Sequence, residues 1–256
     1  MLFFRYQQLH KTIEALPRFD DVGFRVYSQT DEDGVLLYIF SLIGSTNKIC
    51  VEVAFKLPEG ANTTNLICNW GWTGFLIEGN EHHIKQSREF FESHNDTTIY
   101  PPKLIQEWVT AENINGLLQE NGVAGEIDLF SIDIDGVDYW IWKSLNIIRP
   151  RVVIVEYQSI WGADTSVTVP YRPDFTRDDE TFFGASLAAF VKLGREKGYR
   201  LVGCNKFGFN AFFIREDIGE NVLPEVSVDR CLQHLKIRDQ QRMFLSDAVK
   251  REWEEV

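Results

Sequence analysis

Three carboxylates stand where two apolar, β-branched runs end. The segment Phe130 to Tyr157, FSIDIDGVDYWIWKSLNIIRPRVVIVEY, closes its first run on Asp133 and Asp135 before Gly136, and its second on Glu156 before Tyr157. Such runs are expected to be buried parallel strands, and an open α/β sheet binds its ligand just beyond the carboxyl ends of its strands. Alternation along Ser131 to Asp135 sets Asp133 and Asp135 on one side of the strand, facing one pocket. Three roles are open to these acids. Asp133, Asp135 and Glu156 can work without metal, as a general base and as acceptors of ligand hydrogen bonds. Asp135 and Glu156 can instead hold a divalent cation, for which an all-oxygen set suits Mg²⁺, Mn²⁺ or Ca²⁺ rather than zinc. A cation would lower the pKa of a neighbouring hydroxyl without a separate base. The third role is structural, with Asp135-Gly136 a turn and Asp138 a helix cap.

The elements around this segment alternate between helical and extended apolar periods, as expected for a parallel sheet covered by helices. Asp31 to Ile43 opens with acids that suit a helix N-terminus, turns apolar and stops at Gly44. Strands are expected at Lys48 to Ala54, Gly74 to Asn80, weakly at Thr97 to Tyr100 before Pro101-Pro102, at Glu126 to Asp135 and at Arg151 to Tyr157. Helices are expected at Thr63 to Trp70, Glu81 to His94, Thr110 to Leu118 and Phe183 to Lys197. Tyr199 to Cys204 and Asn210 to Arg215 are predicted to form an antiparallel hairpin. Gln158 to Phe182 is a long aperiodic loop leaving a central strand, and loops of that length are usually functional. Its aromatic residues Tyr157, Trp161 and Tyr171 are expected on the substrate side, where they suit a sugar ring, or else as loop anchors. Trp140 and Trp142 cannot both face inward on one short helix, so one is expected to line a pocket. The histidines, His10, His82, His83, His94 and His234, are expected at the surface, with His82 a candidate neighbour of a ribose or adenine.

The chain has 256 residues, 44% of them apolar, enough for one large domain. Its net charge of −12 argues against a nucleic-acid partner. No run approaches the ~18–20 apolar residues of a membrane span, and the first residues lack a secretory h-region. Cys50, Cys68, Cys204 and Cys231 have no zinc-ligand spacing and are expected as free thiols. A cytoplasmic protein without membrane or nucleic-acid partners is the expectation. It would have an N-terminal helical extension over 1–27, a main domain over 28–217 and a helical tail over 218–256. The tail is expected to pack along one edge or against a second copy in a homodimer.

A set of words in fixed order adds to this. They are Ser28-Gln29 with Glu32-Asp33-Gly34, Val51-Glu52, Asn62-Thr63 with Asn65-Leu66, Gly71-Trp72 with Gly74, Ile77-Glu78-Gly79, Thr110 to Asn115, Ser131 to Gly136, and Phe183 to Ser186. Over roughly residues 28–217 the chain resembles the FkbM-related group of class I S-adenosylmethionine-dependent methyltransferases, often found among sugar, capsule and natural-product genes. The resemblance implies a Rossmann-like α/β fold: a mostly parallel seven-stranded sheet with one antiparallel strand and helices on both faces. It also implies O-methyl transfer from S-adenosylmethionine to a small polar acceptor. Glu52 would lie beside the cofactor's methionine end and Glu78 would hold the ribose hydroxyls, with Asn62, Thr63, Gly79 and Asp133 as further cofactor contacts. In metal-dependent members of the fold, acids after the fourth and fifth strands hold the cation, which here would be Mg²⁺ or Mn²⁺ on Asp135 and Glu156.

The chain departs from the resemblance at the first βα turn. These enzymes place a Gly-x-Gly-x-Gly-like word there, so that bare backbone can approach the cofactor; this chain has Ala54-Phe55-Lys56-Leu57-Pro58-Glu59-Gly60. Two arrangements are open. Phe55-Lys56-Leu57 fills the cofactor's space, or the loop is displaced and Lys56 faces a carboxylate. The first would leave a methyltransferase-like protein that binds another small ligand, runs another reaction or supports a partner enzyme.

Overall fold

Apolar alternation along the central strands sends one set of side chains to each face of a sheet, and both sets are buried. The computed structural model describes residues 1–12 and 16–256, with the side chains of residues 10–15, His10 among them, outside the description. In chain order the helices are α1 (Leu2–Thr12), α2 (Phe19–Val22), α3 (Glu32–Ile43), α4 (Thr64–Trp70), α5 (Glu81–Ser93), α6 (Ile114–Glu120), α7 (Asp138–Ser144), α8 (Leu187–Glu196), α9 (Val228–Cys231) and α10 (Leu235–Ala248). The strands are β1 (Ile49–Val53), β2 (Thr73–Glu78), β3 (Lys103–Gln106), β4 (Gly125–Ile132), β5 (Ile148–Glu156), β6 (Val167–Thr168), β7 (Tyr199–Cys204), β8 (Asn210–Arg215) and β9 (Glu254–Glu255).

Seven strands form one sheet in the order β3-β2-β1-β4-β5-β8-β7, and β6 pairs with β9 apart from it. All main-sheet pairings are parallel except those of β8, which runs antiparallel to both β5 and β7. This is the mostly parallel, Rossmann-like seven-stranded sheet with one antiparallel strand that the resemblance implied. Cys50, Leu76, Leu129, Ile154 and Phe212 pack on the face covered by α3, α4 and α5. Val51, Val53, Phe130, Ile132, Val155 and Phe213 pack on the opposite face against α6, α7 and α8. Each fully buried apolar side chain in these layers contributes roughly 1.5–3 kcal/mol.

The two-residue period also aligns the polar ends of the strands. Leu76 is followed two residues on by Glu78, Cys50 by Glu52, Leu129 by Ser131, and Ile154 by Glu156. Asn210 begins β8 directly opposite Glu156. The carboxyl edge of the α3-covered face therefore carries a row of polar groups over an apolar floor.

Three local expectations are corrected. The third strand lies at Lys103–Gln106, after the prolines and not at Thr97 to Tyr100. Thr97 and Thr98 instead turn their hydroxyls back onto the carbonyls of Phe91 and His94 at the end of α5, which holds this stretch as a turn. The sixth helix begins at Ile114 behind Asn113, because Asn113 and Thr110 exchange side-chain and backbone hydrogen bonds ahead of it. The eighth begins at Leu187 under a Ser186 cap, leaving residues 183–186 outside the helix, with Gly184 at a left-handed φ of 62°. Strand β4 stops at Ile132, short of Asp133. Cys50, Cys68, Cys204 and Cys231 are free thiols. Among the described residues no helix is long and apolar enough to cross a membrane.

Candidate functional site

The row of strand ends becomes a site through the segments that fold over it. Asp33 begins this by collecting the backbone N–H groups of Val26, Tyr27 and Ser28 at 2.7, 2.6 and 2.8 Å. Chain 22–24 then crosses α3 at Gly34, where a Cβ would lie 2.3 Å from the Phe24 nitrogen and 2.4 Å from the Val22 carbonyl oxygen. Only glycine admits that crossing. Ser28 bridges to Gly60, and Gly60 donates its N–H to the Tyr27 carbonyl at 2.7 Å. Gln29 is thereby held over the carboxyl ends of β4 and β5.

Glu52, buried at the end of β1, accepts from the Asn62 N–H at 2.8 Å, the Thr63 N–H at 2.9 Å and the Thr63 hydroxyl at 2.5 Å. Burial pushes its carboxyl up to about 7 against these three bonds. Asn62 also donates to Ser131 Oγ at 3.1 Å. Glu78, at the end of β2, accepts from the Lys56 N–H at 3.1 Å and the Asn80 N–H at 2.8 Å. Both acids therefore tie down the first βα loop.

That loop resolves the two arrangements left open by its sequence. Ala54 and Lys56 take left-handed φ values of 57° and 56°, the backbone shape that glycine would ordinarily supply. For a residue with a Cβ this costs about 1–2 kcal/mol each, and such strain gathers at functional sites. Phe55 is buried in the core beneath, and the Lys56 ammonium lies 3.0 Å from Asp135 Oδ2. Lys56 therefore faces a carboxylate, while Phe55 and Leu57 still border the larger cavity.

Asp133, Asp135 and Glu156 come together as the sequence suggested, each offering an oxygen within 4.8 Å of the others. Alternation is not what unites them, since both aspartates lie past the strand and Asp135 sits at φ 55° in a turn. Asp138 fixes that turn by accepting the N–H groups of Ile134 and Gly136 at 2.8 and 3.0 Å. Asp138 is thus the structural acid of the group, and its burial pushes it up to about 7.

The other three differ in charge. Asp135 bonds to Lys56 on one oxygen and to Arg177 on the other, and the two cations hold its carboxyl below the usual carboxylate range despite burial. Burial followed by the neighbouring Asp135 charge raises Asp133, and burial followed by Asp133 and Asp135 raises Glu156 well above its ordinary range. Two adjacent carboxyls of this kind titrate together, the charge on one disfavouring ionisation of the other. Asp133 Oδ1 is buried without a hydrogen-bond partner.

Two cavities open on either side of this acid pair. The larger, about 420 Å³, lies over β1 and is lined by Glu52, residues 54–57 and 59–62, Asp133 and Asn210, with Arg25, Gln29 and His83 at its rim. Asn210 gives its amide hydrogens to Glu32 Oε1 at 3.0 Å, so its Oδ1 points away, buried and without a partner. Asp133 and Asn210 both line this cavity, and each carries one buried acceptor oxygen without a partner. The smaller, about 220 Å³, is lined by Glu156, Tyr157, Gln158, Ser159, Arg177 and Glu180, with Phe183, Phe209, Gln240 and Phe244 opposite. Gln29 lines both cavities.

The remaining predicted residues fall outside these walls. Thr63, Glu78 and Gly79 stand behind the larger cavity. The Trp108 ring covers Gly79 so closely that a Cβ there would meet it at 2.2 Å. Trp161 packs edge-on against Trp253 with ring centroids 5.1 Å apart, and the Tyr171 hydroxyl bonds to Glu112, so both anchor the long loop. Tyr157 lines the smaller cavity with its ring buried. Trp142 is wholly core, and Trp140 donates to the Val169 carbonyl at 2.8 Å, so neither lines a cavity. His83 reaches the larger cavity and His82 is exposed. His94 meets the Tyr27 hydroxyl at 3.0 Å, and His234 caps α10.

Sequence reasoning missed Gln29, Arg177, Asn210 and the tail. Helix α10 supplies Gln240 and Phe244 to the smaller cavity, and Gln240 accepts from the Ser159 hydroxyl at 2.8 Å. Arg251 pairs with Asp178 and Asp179 at 2.6 and 2.9 Å, fastening the long loop from outside. The run of acids after Gln29 was the one available signal, since three consecutive carboxylates at a helix start exceed what its dipole needs.

No family model matches the chain, and no curated protein matches it. Among solved structures it is similar to the methyltransferase domain of bacterial CtHen1, at 12% identity over 72% of this chain and 97% of that one, with a TM-score of 0.47. It is also similar to the glycopeptide N-methyltransferase MtfA complexed with S-adenosyl-L-homocysteine, at 10% identity over 76% and 94% of the two chains, TM-score 0.45. A third is the O-methyltransferase from Bacillus cereus in complex with S-adenosylhomocysteine, at 14% identity over 82% and 96%, TM-score 0.43.

Proposed function

We propose that this chain transfers a methyl group from S-adenosylmethionine to an oxygen of a small polar acceptor such as a sugar or a natural-product intermediate. The observation that carries this reading is the pair of cavities meeting across Asp133 and Glu156, one lined by Glu52, Asn62, Asp133 and Asn210 and the other by amides and aromatic rings. S-adenosylmethionine, when bound, supplies a methyl group made electrophilic by its sulfonium. Glu52, Asn62, Asp133 and Asn210 would hold it in the larger cavity, with Thr63 and Glu78 keeping the loop in shape. In the smaller cavity Gln29, Gln158, Ser159 and Gln240 offer hydrogen bonds to hydroxyls, and Phe183, Phe209 and Phe244 offer faces to a ring.

The chain's own part is alignment and proton transfer. An ionised member of the acid pair can take the acceptor's hydroxyl proton as the oxygen attacks. Burial and the neighbouring acids raise both carboxyls, which makes the ionised pair a better base than an ordinary carboxylate. Arg177 and Lys56 neutralise Asp135 beside it, which leaves the pair to respond to the acceptor. A cation-assisted reading is favoured by one observation, the three oxygens within 4.8 Å. Against it, both oxygens of Asp135 already carry a side-chain cation.

Calorimetric titration with S-adenosylmethionine and S-adenosylhomocysteine, followed by transfer of a labelled methyl group to a panel of hydroxylated acceptors, tests the reading. Both ligands are expected to bind in the presence of a chelator, and turnover is expected without added metal. Binding of neither ligand, with or without Mg²⁺, would sink the proposal and leave a protein of this fold with another ligand. Turnover that needs Mg²⁺ or Mn²⁺ would select the cation-assisted reading.

A further inference from the structure

Two side-chain cations face the acid cluster, and they are held very differently. Arg177 bonds to Asp135 and Glu180 and lies over the Phe183 ring, 3.9 Å from its centroid. Lys56 has one partner, Asp135, and its side chain is 59% exposed. Its backbone is nevertheless fixed, with φ at 56° and its N–H on Glu78. An exposed ion pair of this kind costs little to separate. Lys56 is a positive charge on a short tether, set in the wall of the larger cavity.

Lys56 and Arg177 face the cluster of Asp133, Asp135 and Glu156, and Arg177 is also paired with Glu180. A further cation entering beside the acids would meet the Lys56 ammonium, the less firmly held of the two. Resting on the reading above, we propose that Lys56 is a displaceable counter-ion that holds the cation position beside Asp133 and Asp135 until the donor's sulfonium takes its place. The nearby charges that most favour the Lys56 ammonium are Asp133 first, then Asp135 and Glu156. A sulfonium delivering its methyl across the acid pair must lie in the same field. Once transfer has discharged the sulfonium to a thioether, Lys56 can return, which favours loss of the spent donor. On this account Lys56 sets the discrimination between charged donor and neutral product.

S-adenosylmethionine and S-adenosylhomocysteine differ by one methyl group and one positive charge, so the ratio of their affinities reports this competition. The amino-acid and adenosine parts are common to both ligands, so contacts to them cancel in the ratio. Titration of the wild type, Lys56→Met and Lys56→Arg with each ligand is the experiment. In Lys56→Met the preference for S-adenosylmethionine over S-adenosylhomocysteine is expected to rise roughly tenfold, and Lys56→Arg is expected to keep the wild-type ratio. Retained S-adenosylhomocysteine binding shows that the loop of Lys56→Met still folds. An unchanged ratio, or one that moves toward S-adenosylhomocysteine, would overturn the counter-ion role while leaving the methyltransferase reading intact. Loss of both ligands from Lys56→Met alone would make Lys56 a structural residue and overturn it too. A wild type that binds neither ligand would remove both readings together.

Discussion

Asp128 and Asp133 lie on the same strand line, five residues apart, at opposite ends of the sheet. Asp128 is fully buried and fully answered: it accepts from the backbone of Thr46, Asn47 and Lys48 at 2.9, 2.9 and 2.6 Å and pairs with Arg151 at 2.8 Å. These bonds hold its carboxyl below the usual range although burial pulls the other way. Asp133 has an oxygen with no partner and two acids for neighbours, and its carboxyl is raised. One acid is fully satisfied within the fold and the other is not. Residue type and strand position do not separate them; the number of donors that the fold directs at each oxygen does.

Substituting each acid tests this contrast. Asp133→Asn is expected to lower turnover by roughly 10²–10⁴-fold, with a melting temperature equal to or above the wild type. Turnover within a few-fold of wild type would show that Asp133 is not the base. Asp128→Ala should do the reverse. It leaves Arg151 buried without its carboxylate, a loss of about 3–5 kcal/mol, and each lost kcal/mol lowers the melting temperature by roughly 2–4 °C in a chain of this size. Its folded fraction should keep normal donor affinity, measured by calorimetry. Weakened affinity there would mean that the two ends of the sheet are coupled.

The pH response has opposite signs at the two ends. Asp128 has a lowered folded pKa, so its contribution to stability is present above the unfolded value near 4 and disappears as pH falls through the folded one. Asp133 and Glu156 have raised folded values and bind more protons folded than unfolded, so their contribution declines as pH rises from about 4 toward their folded values. Glu52 and Asp138, both pushed up to about 7, act in the same direction. The melting temperature is therefore expected to fall between pH 5 and pH 8, roughly the span of these titrations, and Asp133→Asn should flatten part of that fall. Turnover should move the other way, rising with pH as the acid pair ionises. A wild-type melting temperature that does not fall over that range would break the assignment of raised pKa values.

The fold was legible because alternation is local. A residue's face follows from its neighbours two positions away, and Cys50-Glu52, Leu129-Ser131 and Ile154-Glu156 announce both a buried face and its polar end. The acid cluster was legible only as residues following two strand ends; the turn at Asp135, not alternation, brought it together. Arg177 and Asn210 were not legible. Arg177 lies in an aperiodic loop, and its position depends on Asp135, Glu180 and Phe183. The role of Asn210 depends on Glu32, 178 residues away in the chain, accepting its amide N–H and leaving its oxygen buried without a partner. The first βα loop misled for another reason. Glycine is the usual means to a left-handed backbone, and Ala54 and Lys56 reach it because Ile77 and Glu78 hold their N–H groups.

Glu52 sharpens the contrast because it shares traits with both aspartates. Like Asp128 it is buried and answered by several donors; like Asp133 it lines the larger cavity and has a raised carboxyl. The donors decide which trait prevails. An amide in its place has one acceptor oxygen and a donor NH₂ group, so it cannot receive both the Asn62 and Thr63 N–H groups as the carboxylate does. Glu52→Gln is therefore expected to cost about 1–3 kcal/mol and to loosen residues 54–63, which should weaken donor binding. Turnover at saturating donor should stay within a few-fold of wild type, because no proton passes through a group held by three bonds. A large fall in that saturated rate with an unchanged melting temperature would move Glu52 to the chemical side, and donor satisfaction would no longer separate the acids that build this sheet from those that use it.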